Sequence, residues 1–348
     1  MSEQTGAQPA PRPLKVAVVG ASGAVGEAIL SILAERNFPL REVVALASER
    51  SAGNTIDFGH DDELVLQNLA TFDPAGVDIA FFAAGGAVSE QYAPRFAAAG
   101  AVVIDNSSAF RQDTDVPLVV AEVNPEALAE RPRGIISNPN CSTMQMMVAL
   151  APIHRAVGIE RINVATYQSV SGAGREAMEE LGRQTGALLN FQGAQPERFP
   201  VQIAFNLIPH IDEFLDNGYT REEMKLVWET RRILADESIQ VNATAVRVPV
   251  FYGHSEAVHI ETRERIDAVT ARALLQEAPG VTVVDERAAG GYPTPVTHAS
   301  GKDPVFVGRI REDFSHPRGL NLWIVSDNIR KGAALNAVQI AELVAAAL

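Results

Sequence analysis

The sequence predicts an α/β fold in two parts: a parallel sheet with helices on both faces, then a second, α+β domain, with a C-terminal helix returning to the first part. Three observations carry this. Short, nearly continuous apolar runs alternate with helical stretches up to residue 140, the pattern of strands buried on both faces by crossover helices. Beyond residue 142 the runs lengthen, become rich in β-branched residues and have fewer helices between them, which marks a mixed or antiparallel sheet. Residues 332–348 set Ile340, Leu343, Val344 and Ala347 at i, i+3, i+4 and i+7, one apolar helical face. At 348 residues the chain is long for one domain and ordinary for two.

In order, residues 1–13 are polar, Pro-rich and aperiodic, and read as a flexible tail. A strand at 14–19 (LKVAVV) ends in Gly20, and a helical pattern follows to about Arg36. Residues 42–48 (EVVALAS) and 78–84 (DIAFFAA) read as the next strands, then a helix to Ala99 and a strand at 101–105 (AVVID). A further strand at 134–137 leads into Asn138-Pro139-Asn140-Cys141. The second part opens with a helix at 142–156, followed by strands at 162–170, 241–250 and 257–262. The expected division is 14–140 plus 330–348 for the first domain and 141–329 for the second.

Composition excludes several classes. With 47% apolar and 21% charged residues the chain can build a core and is not generally disordered. Asp plus Glu number 43 against 29 Lys plus Arg, a formal charge of −14, which argues against nucleic acid as a partner. No apolar stretch reaches the roughly 18 residues needed to cross a bilayer. The first residues carry neither a basic leader nor an apolar core, so a cytoplasmic protein with no membrane partner is expected. Cys141 stands alone, so no intrachain disulfide forms, and no metal ligands are assigned.

Chemistry concentrates at a few places. Gly20-Ala21-Ser22-Gly23-Ala24-Val25-Gly26 joins a strand to a helix, where glycines let backbone N–H groups approach a phosphate at the helix N-terminus. The spacing is GxxGxxG rather than GxGxxG, and a plain tight turn is the competing reading. After the second strand comes Ser48-Glu49-Arg50-Ser51. An acidic residue there suits a ribose 2′-hydroxyl and an Arg a 2′-phosphate; Arg50 between two hydroxyls favours NADP. Cys141 follows Asn138-Pro139-Asn140 and opens a helix, whose dipole is expected to lower the thiol pKa. Asn140 offers an amide to a neighbouring oxyanion. His254 lies in a bend after Gly253, and Arg247 upstream offers a planar fork to a carboxylate.

Seven blocks together carry a resemblance: 20–26 (GASGAVG), 107–111 (SSAFR), 137–143 (SNPNCST), 167–174 (YQSVSGAG), 221–225 (REEMK), 247–256 (RVPVFYGHSE) and 327–334 (DNIRKGAA). In order and chemistry they resemble the aspartate-β-semialdehyde dehydrogenase family, from about Leu14 onward. The resemblance implies a Rossmann-like NADP domain and a catalytic and dimerisation domain. It implies reduction of L-4-aspartyl phosphate to aspartate semialdehyde and phosphate through a Cys thioester, on the route to lysine, diaminopimelate, threonine, methionine and isoleucine. Cys141 would be the nucleophile, His254 the acid/base group, Gln168 the residue orienting the acyl group, and Asn140 its neighbour at the oxyanion. Arg247 would hold the α-carboxylate, Glu222 is the candidate for the α-amine, and Arg111 and Lys225 would bind phosphate. Gly20, Ser22, Gly23, Ala24, Val25, Ser48, Arg50, Ser51, Ser171, Gly172 and Asn328 would contact NADP. A homodimer or dimer of dimers is implied. The alternatives are N-acetyl-γ-glutamyl-phosphate reductase, which runs the same chemistry on a longer acylated substrate, a cysteine hydrolase without a redox step, and a non-catalytic NADP sensor.

Overall fold

The structure, a computed structural model, describes residues 12–60 and 62–348, so most of the expected tail, residues 1–11, lies outside the described residues. β1 (Leu14–Val19) passes through Gly20 into α1 (Ala24–Glu35) and returns in β2 (Leu40–Ala47). A short hairpin, β3 (Thr55–Phe58) with β4 (Asp62–Val65), precedes β5 (Gln67–Asn68), β6 (Ile79–Phe82), α2 (Gly86–Ala98), β7 (Val102–Asp105) and β8 (Ile135–Ser137). The main sheet is parallel, in the order β5-β2-β1-β6-β7-β8. The period-2 geometry of β1 explains its unbroken apolar run: Val16 and Val18 enter one core cluster, Ala17 and Val19 the cluster on the opposite face. The chain leaves β1 for β2 on one side and β6 lies on the other. The crevice beyond the ends of β1 and β6, where Gly20 turns, is therefore the switch point at which such sheets take ligands.

The second part contains α3 (Cys141–Val157), β9 (Ile159–Gln168), α4 (Arg175–Leu189), α5 (Arg221–Ile233), β10 (Gln240–Arg247), β11 (His254–Thr262), α6 (Ala268–Gln276), β12 (Val281–Val283), β13 (Val305–Glu312) and β14 (Gly319–Ser326). Its sheet runs β10-β9-β11-β14-β13-β12 and is mixed, with β9/β10 and β12/β13 parallel and the other pairs antiparallel. One face packs on α3, which is apolar nearly all round, as a helix buried on every side must be. Register then places the chemistry. Arg247 pairs with Gln168, Ser255 with Tyr167, and His254 with Ser326, so Gln168, Arg247, His254 and Asn328 gather at one end of the sheet.

Four expectations change. The strand expected at 162–170 runs from Ile159 to Gln168 as β9 and gives way to a tight turn at Val170. The third of the second-part strands begins at His254, not residue 257, so the bend lies just before the histidine. The strand expected at 241–250 stops at Arg247, ahead of Pro249, which lacks the N–H a ladder needs. α7 (Asn336–Ala345) does dock on the first part, burying Val338, Ile340, Ala341 and Val344 beside Ile29 and Leu33 of α1. Its buried stripe leaves Leu343 exposed, however, and Ala347 lies beyond the helix.

Candidate active site

Cys141 is the first residue of α3, and Asn140 is its N-cap: Asn140 Oδ1 accepts from the backbone N–H of Ser142 at 3.0 Å and of Thr143 at 3.2 Å. The thiol keeps part of its surface open to a cavity of about 580 Å³ between the two parts. Asn140, Arg111, Gln168, Glu222, Lys225, Arg247, Ser171, Gly172, Asn328 and Val25 also line it. Behind the thiol lies Gly332, where a Cβ would stand 2.8 Å from the Cys141 Cβ. Only glycine lets the chain pass so close.

Glu222 is the polar centre. Its Oε1 accepts from Asn140 Nδ2 at 2.9 Å and Gln168 Nε2 at 3.1 Å, and its Oε2 from Lys225 Nζ at 3.0 Å. Burial pushes this carboxyl up, but the Lys225 charge and the three donors outweigh it and hold the group at about 2. It is an anion at any working pH. Lys225 also reaches Asp212 at 2.7 Å.

Two turns further along α5, Glu229 accepts the Asn140 backbone N–H at 2.7 Å and pairs with Arg111 at 3.3 Å. Arg111 donates besides to the carbonyls of Asn138 and Asn106. Sequence reasoning missed Glu229, although Glu222, Leu226 and Glu229 recur at helical spacing and mark one inward face. It also missed Arg198 and His210, which line the cavity from the segment between α4 and α5, where no periodicity marks them.

His254 is fully buried behind Gly172: a Cβ on that glycine would come within 3.2 Å of the imidazole and 3.0 Å of the Arg247 guanidinium. The Ser169 N–H donates to its Nδ1 at 3.1 Å, Ser169 Oγ lies equally near, and Nε2 has no partner. Burial, then the Arg247 charge, lowers this imidazole to about 3, so the ring is neutral. Arg247 is anchored by donation to the Ser169 carbonyl at 2.8 Å. Cys141 departs from expectation. Enclosure, and after it the Glu222 charge, pushes the thiol up to about 12, overriding the cations Arg111, Arg247 and Lys225 and the helix terminus expected to lower it.

The residues assigned to a dinucleotide fall into two groups. Ser171, Gly172 and Asn328 join the cavity, with Asn328 Oδ1 accepting from Ser169, Ser171 and the Gly253 N–H. Gly20, Ser22, Gly23 and Ala24 form the turn above β1, outside the cavity lining, while Val25 reaches it. Gly20 has φ +80°, and a Cβ there would meet the Ala83 carbonyl at 2.8 Å. A Cβ on Gly26 would lie 2.2 Å from the Gly20 carbonyl. Gly23 caps α1 without a side-chain hydrogen bond, leaving its first-turn N–H groups for an anion. This cradle fits a dinucleotide phosphate. Ser48, Arg50 and Ser51 are not brought into the cavity. They follow β2, one strand over from Gly20, and Arg50 is exposed.

A family model described as the NAD binding domain of semialdehyde dehydrogenase matches residues 15–131, and one described as the semialdehyde dehydrogenase dimerisation domain matches 150–331. An aspartate-semialdehyde dehydrogenase of Legionella pneumophila is 62% identical over 335 residues, covering 95% of this chain and 96% of its own. The crystal structure of aspartate semialdehyde dehydrogenase II from Vibrio cholerae, complexed with ASA, superposes with a TM-score of 0.93 at 58% identity over 96% of this chain and 98% of that one. That of aspartate semialdehyde dehydrogenase with NADP from Candida albicans does so at 0.75 and 25% identity, over 96% and 99%.

Proposed function

The chain belongs to the aspartate-semialdehyde dehydrogenase family, and from that premise we propose how this site works as an oxidoreductase on an aldehyde group. The reaction is NADPH-dependent reduction of L-4-aspartyl phosphate to aspartate semialdehyde and phosphate, in amino-acid biosynthesis. The observation that carries it is Cys141 at the head of α3, sharing one cavity with Arg247, Glu222, Lys225 and Arg111. N-acetyl-γ-glutamyl-phosphate reductase is not favoured, because the similar proteins above are aspartate-semialdehyde dehydrogenases.

The substrate α-carboxylate docks on Arg247 and its α-ammonium on ionised Glu222, which is held at about 2. Gln168 and Asn140, both tethered to Glu222, flank the acyl group. Cys141 sulfur attacks the acyl carbon, and phosphate leaves towards Arg111 and Lys225 as the thioester forms. With the thiol up at about 12, proton removal accompanies attack rather than preceding it. With Nδ1 accepting the Ser169 N–H, the neutral ring of His254 carries its proton on Nε2. It acts as base only after that proton shifts to Nδ1, where Ser169 Oγ can accept it. Nε2 then takes the thiol proton and returns it to sulfur when the thiohemiacetal collapses. The dinucleotide, when bound, supplies the hydride that takes the acyl group to the aldehyde level. The turn at Gly20–Val25, with Ser171, Gly172 and Asn328, would hold it, and Ser48, Arg50 and Ser51 would take a 2′-phosphate.

A homodimer is the proposed assembly, supported by the dimerisation-domain match. Among the described residues no helix is long and apolar enough to cross a membrane. The test is reduction of NADP⁺ by aspartate semialdehyde, which must depend on inorganic phosphate. Reduction without phosphate, or none at all, would refute the phosphorylating reaction.

A further inference from the structure

Glu256 is fully buried two residues after His254 on β11, and the mechanism above makes no use of it. It shares the inward face of that strand with His254, Val258 and Ile260, one step deeper towards the apolar core. Its cross-strand neighbours are Thr166 and Ile324. Neither carboxyl oxygen has a partner at good hydrogen-bond geometry, the Gln145 amide being the one donor turned towards it, and among the described residues no charged group offsets its burial. An ionised carboxylate in such a place is far too costly to keep. The Gln145 amide N–H pulls the Glu256 pKa down, an effect that burial outweighs, while Gln145 Oε1 is a buried acceptor without a donor. The Gln145 Nε2 donates to the His254 carbonyl at 3.5 Å. Gln145 is one helical turn after Cys141 on α3. One proton on the carboxyl would give Gln145 Oε1 a donor while the Gln145 amide N–H faces the other carboxyl oxygen.

We propose that Glu256 is a positioning residue of this site: as an uncharged carboxylic acid it donates to Gln145 Oε1, keeps the Gln145 amide on the His254 carbonyl, and so fixes the helix presenting Cys141 against the strand presenting His254. The inference rests on the activity reading for its meaning, since it concerns the spacing of nucleophile and acid/base group. Burial pushes the Glu256 carboxyl well above the ordinary range, in keeping with the protonated form. The charged groups that act on Cys141 are Glu222, Arg111, Arg247 and Lys225, those that act on neutral His254 are Arg247 and Glu222, and none acts on the Glu256 carboxyl. Glu256 is not among the charges that shift His254 or Cys141.

The test uses the full chain and three variants. Glu256→Gln keeps a neutral group able to bond Gln145, so kcat stays within about threefold of wild type and the pH dependence of Cys141 alkylation by iodoacetamide superimposes on it. Glu256→Met keeps the volume without the hydrogen bond: kcat falls about tenfold or more at unchanged KM, because misplaced reacting groups lose rate steeply, while the melting temperature holds or rises. Gln145→Leu loses a similar factor, and the double variant is no worse than either single one. An alkylation profile of Glu256→Gln displaced to lower pH would mean that Glu256 is ionised, and overturns the proposal. Wild-type kcat in Glu256→Met, or losses that multiply in the double variant, overturns it too. If Glu256→Met does not fold, Gln145→Leu decides alone. Wild type without turnover would fail the activity reading, yet the alkylation comparison would still report on the charge of Glu256.

Discussion

The Ser169 amide donates to Nδ1 of His254 at 3.1 Å, and the Ser169 hydroxyl stands at the same distance from that nitrogen. One residue thus offers Nδ1 a donor when the ring proton is on Nε2 and an acceptor when it moves to Nδ1. The hydroxyl also donates to Asn328 Oδ1 at 3.0 Å, linking the imidazole to a residue assigned to the dinucleotide. Removing the hydroxyl in Ser169→Ala leaves the amide but withdraws the acceptor. A net hydrogen bond is worth about 0.5–1.5 kcal/mol, so kcat should fall by a few-fold to about tenfold with KM unchanged. Steady-state kinetics at fixed pH measure this. An unaltered kcat would mean that the amide alone orients the ring.

The high thiol pKa makes a prediction of definite sign. In the ligand-free chain Cys141 is mostly protonated near neutrality, and only the thiolate alkylates. Its rate with iodoacetamide should climb about tenfold per pH unit from about pH 7 to about pH 9 without a plateau. A plateau below pH 8 would show that the helix terminus prevails after all. Glu222→Gln removes the anion that raises the thiol, so alkylation at a given pH should quicken while substrate binding weakens. Cys141→Ser should abolish turnover and leave NADPH binding intact. The stoichiometry is simple, since the chain has one cysteine.

Arg247→Lys should be costly despite conserving charge. The guanidinium is anchored through Nη1 to the Ser169 carbonyl, which leaves its other N–H groups for a carboxylate in a fixed plane. A lysine supplies a point charge without the fork. The expected loss in kcat/KM is about 10²–10³-fold, or roughly 3–4 kcal/mol. Unchanged kinetics with aspartate semialdehyde would place the carboxylate elsewhere.

Cofactor preference can be separated from chemistry through Arg50, exposed at the end of β2. Arg50→Ala should weaken NADPH binding about 10–100-fold and leave NADH nearly unaffected, because charge-assisted bonds to a 2′-phosphate are worth about 1.5–3 kcal/mol. Titrating both dinucleotides into wild type and variant checks this. If the ratio of affinities does not move, the loop does not read the phosphate.

The first sheet was legible because its strands are pure signals: Val16–Val19 and Ile79–Phe82 are apolar on both faces and end at turn residues. The second was legible only in part. β13 escaped because its ladder shifts register between Gly308 and Arg311, where Arg309 has φ +53° and the alternation breaks. α5 escaped because its inward face carries Glu222, Glu223 and Glu229 among Leu226, Val227 and Ile233, so an apolar-periodicity test reads it as charged loop. The same masking hid Glu256: in His254-Ser255-Glu256-Ala257-Val258 an acid suggests the solvent face, whereas the register turns it inward. Cys141 was conspicuous by its setting, but its protonation was not. That depends on enclosure by Gly332 and Glu222, which are remote in sequence and meet only in the fold.

The return of α7 to the first sheet has a consequence for biogenesis. Ile29 and Leu33 of α1 share a core cluster with Val338, Ile340 and Val344. A nascent chain that has released only the segment through β8 therefore carries a nearly finished sheet with one greasy flank bare. Such surfaces are what chaperones retain and what aggregates when they do not. The wall behind the thiol, Asn328 to Gly332, arrives with the same late segment. Translation stalled or truncated before it would yield a sticky, chemically incompetent intermediate rather than a working nucleotide-binding half, and transplanting the first part alone as a module would inherit that defect.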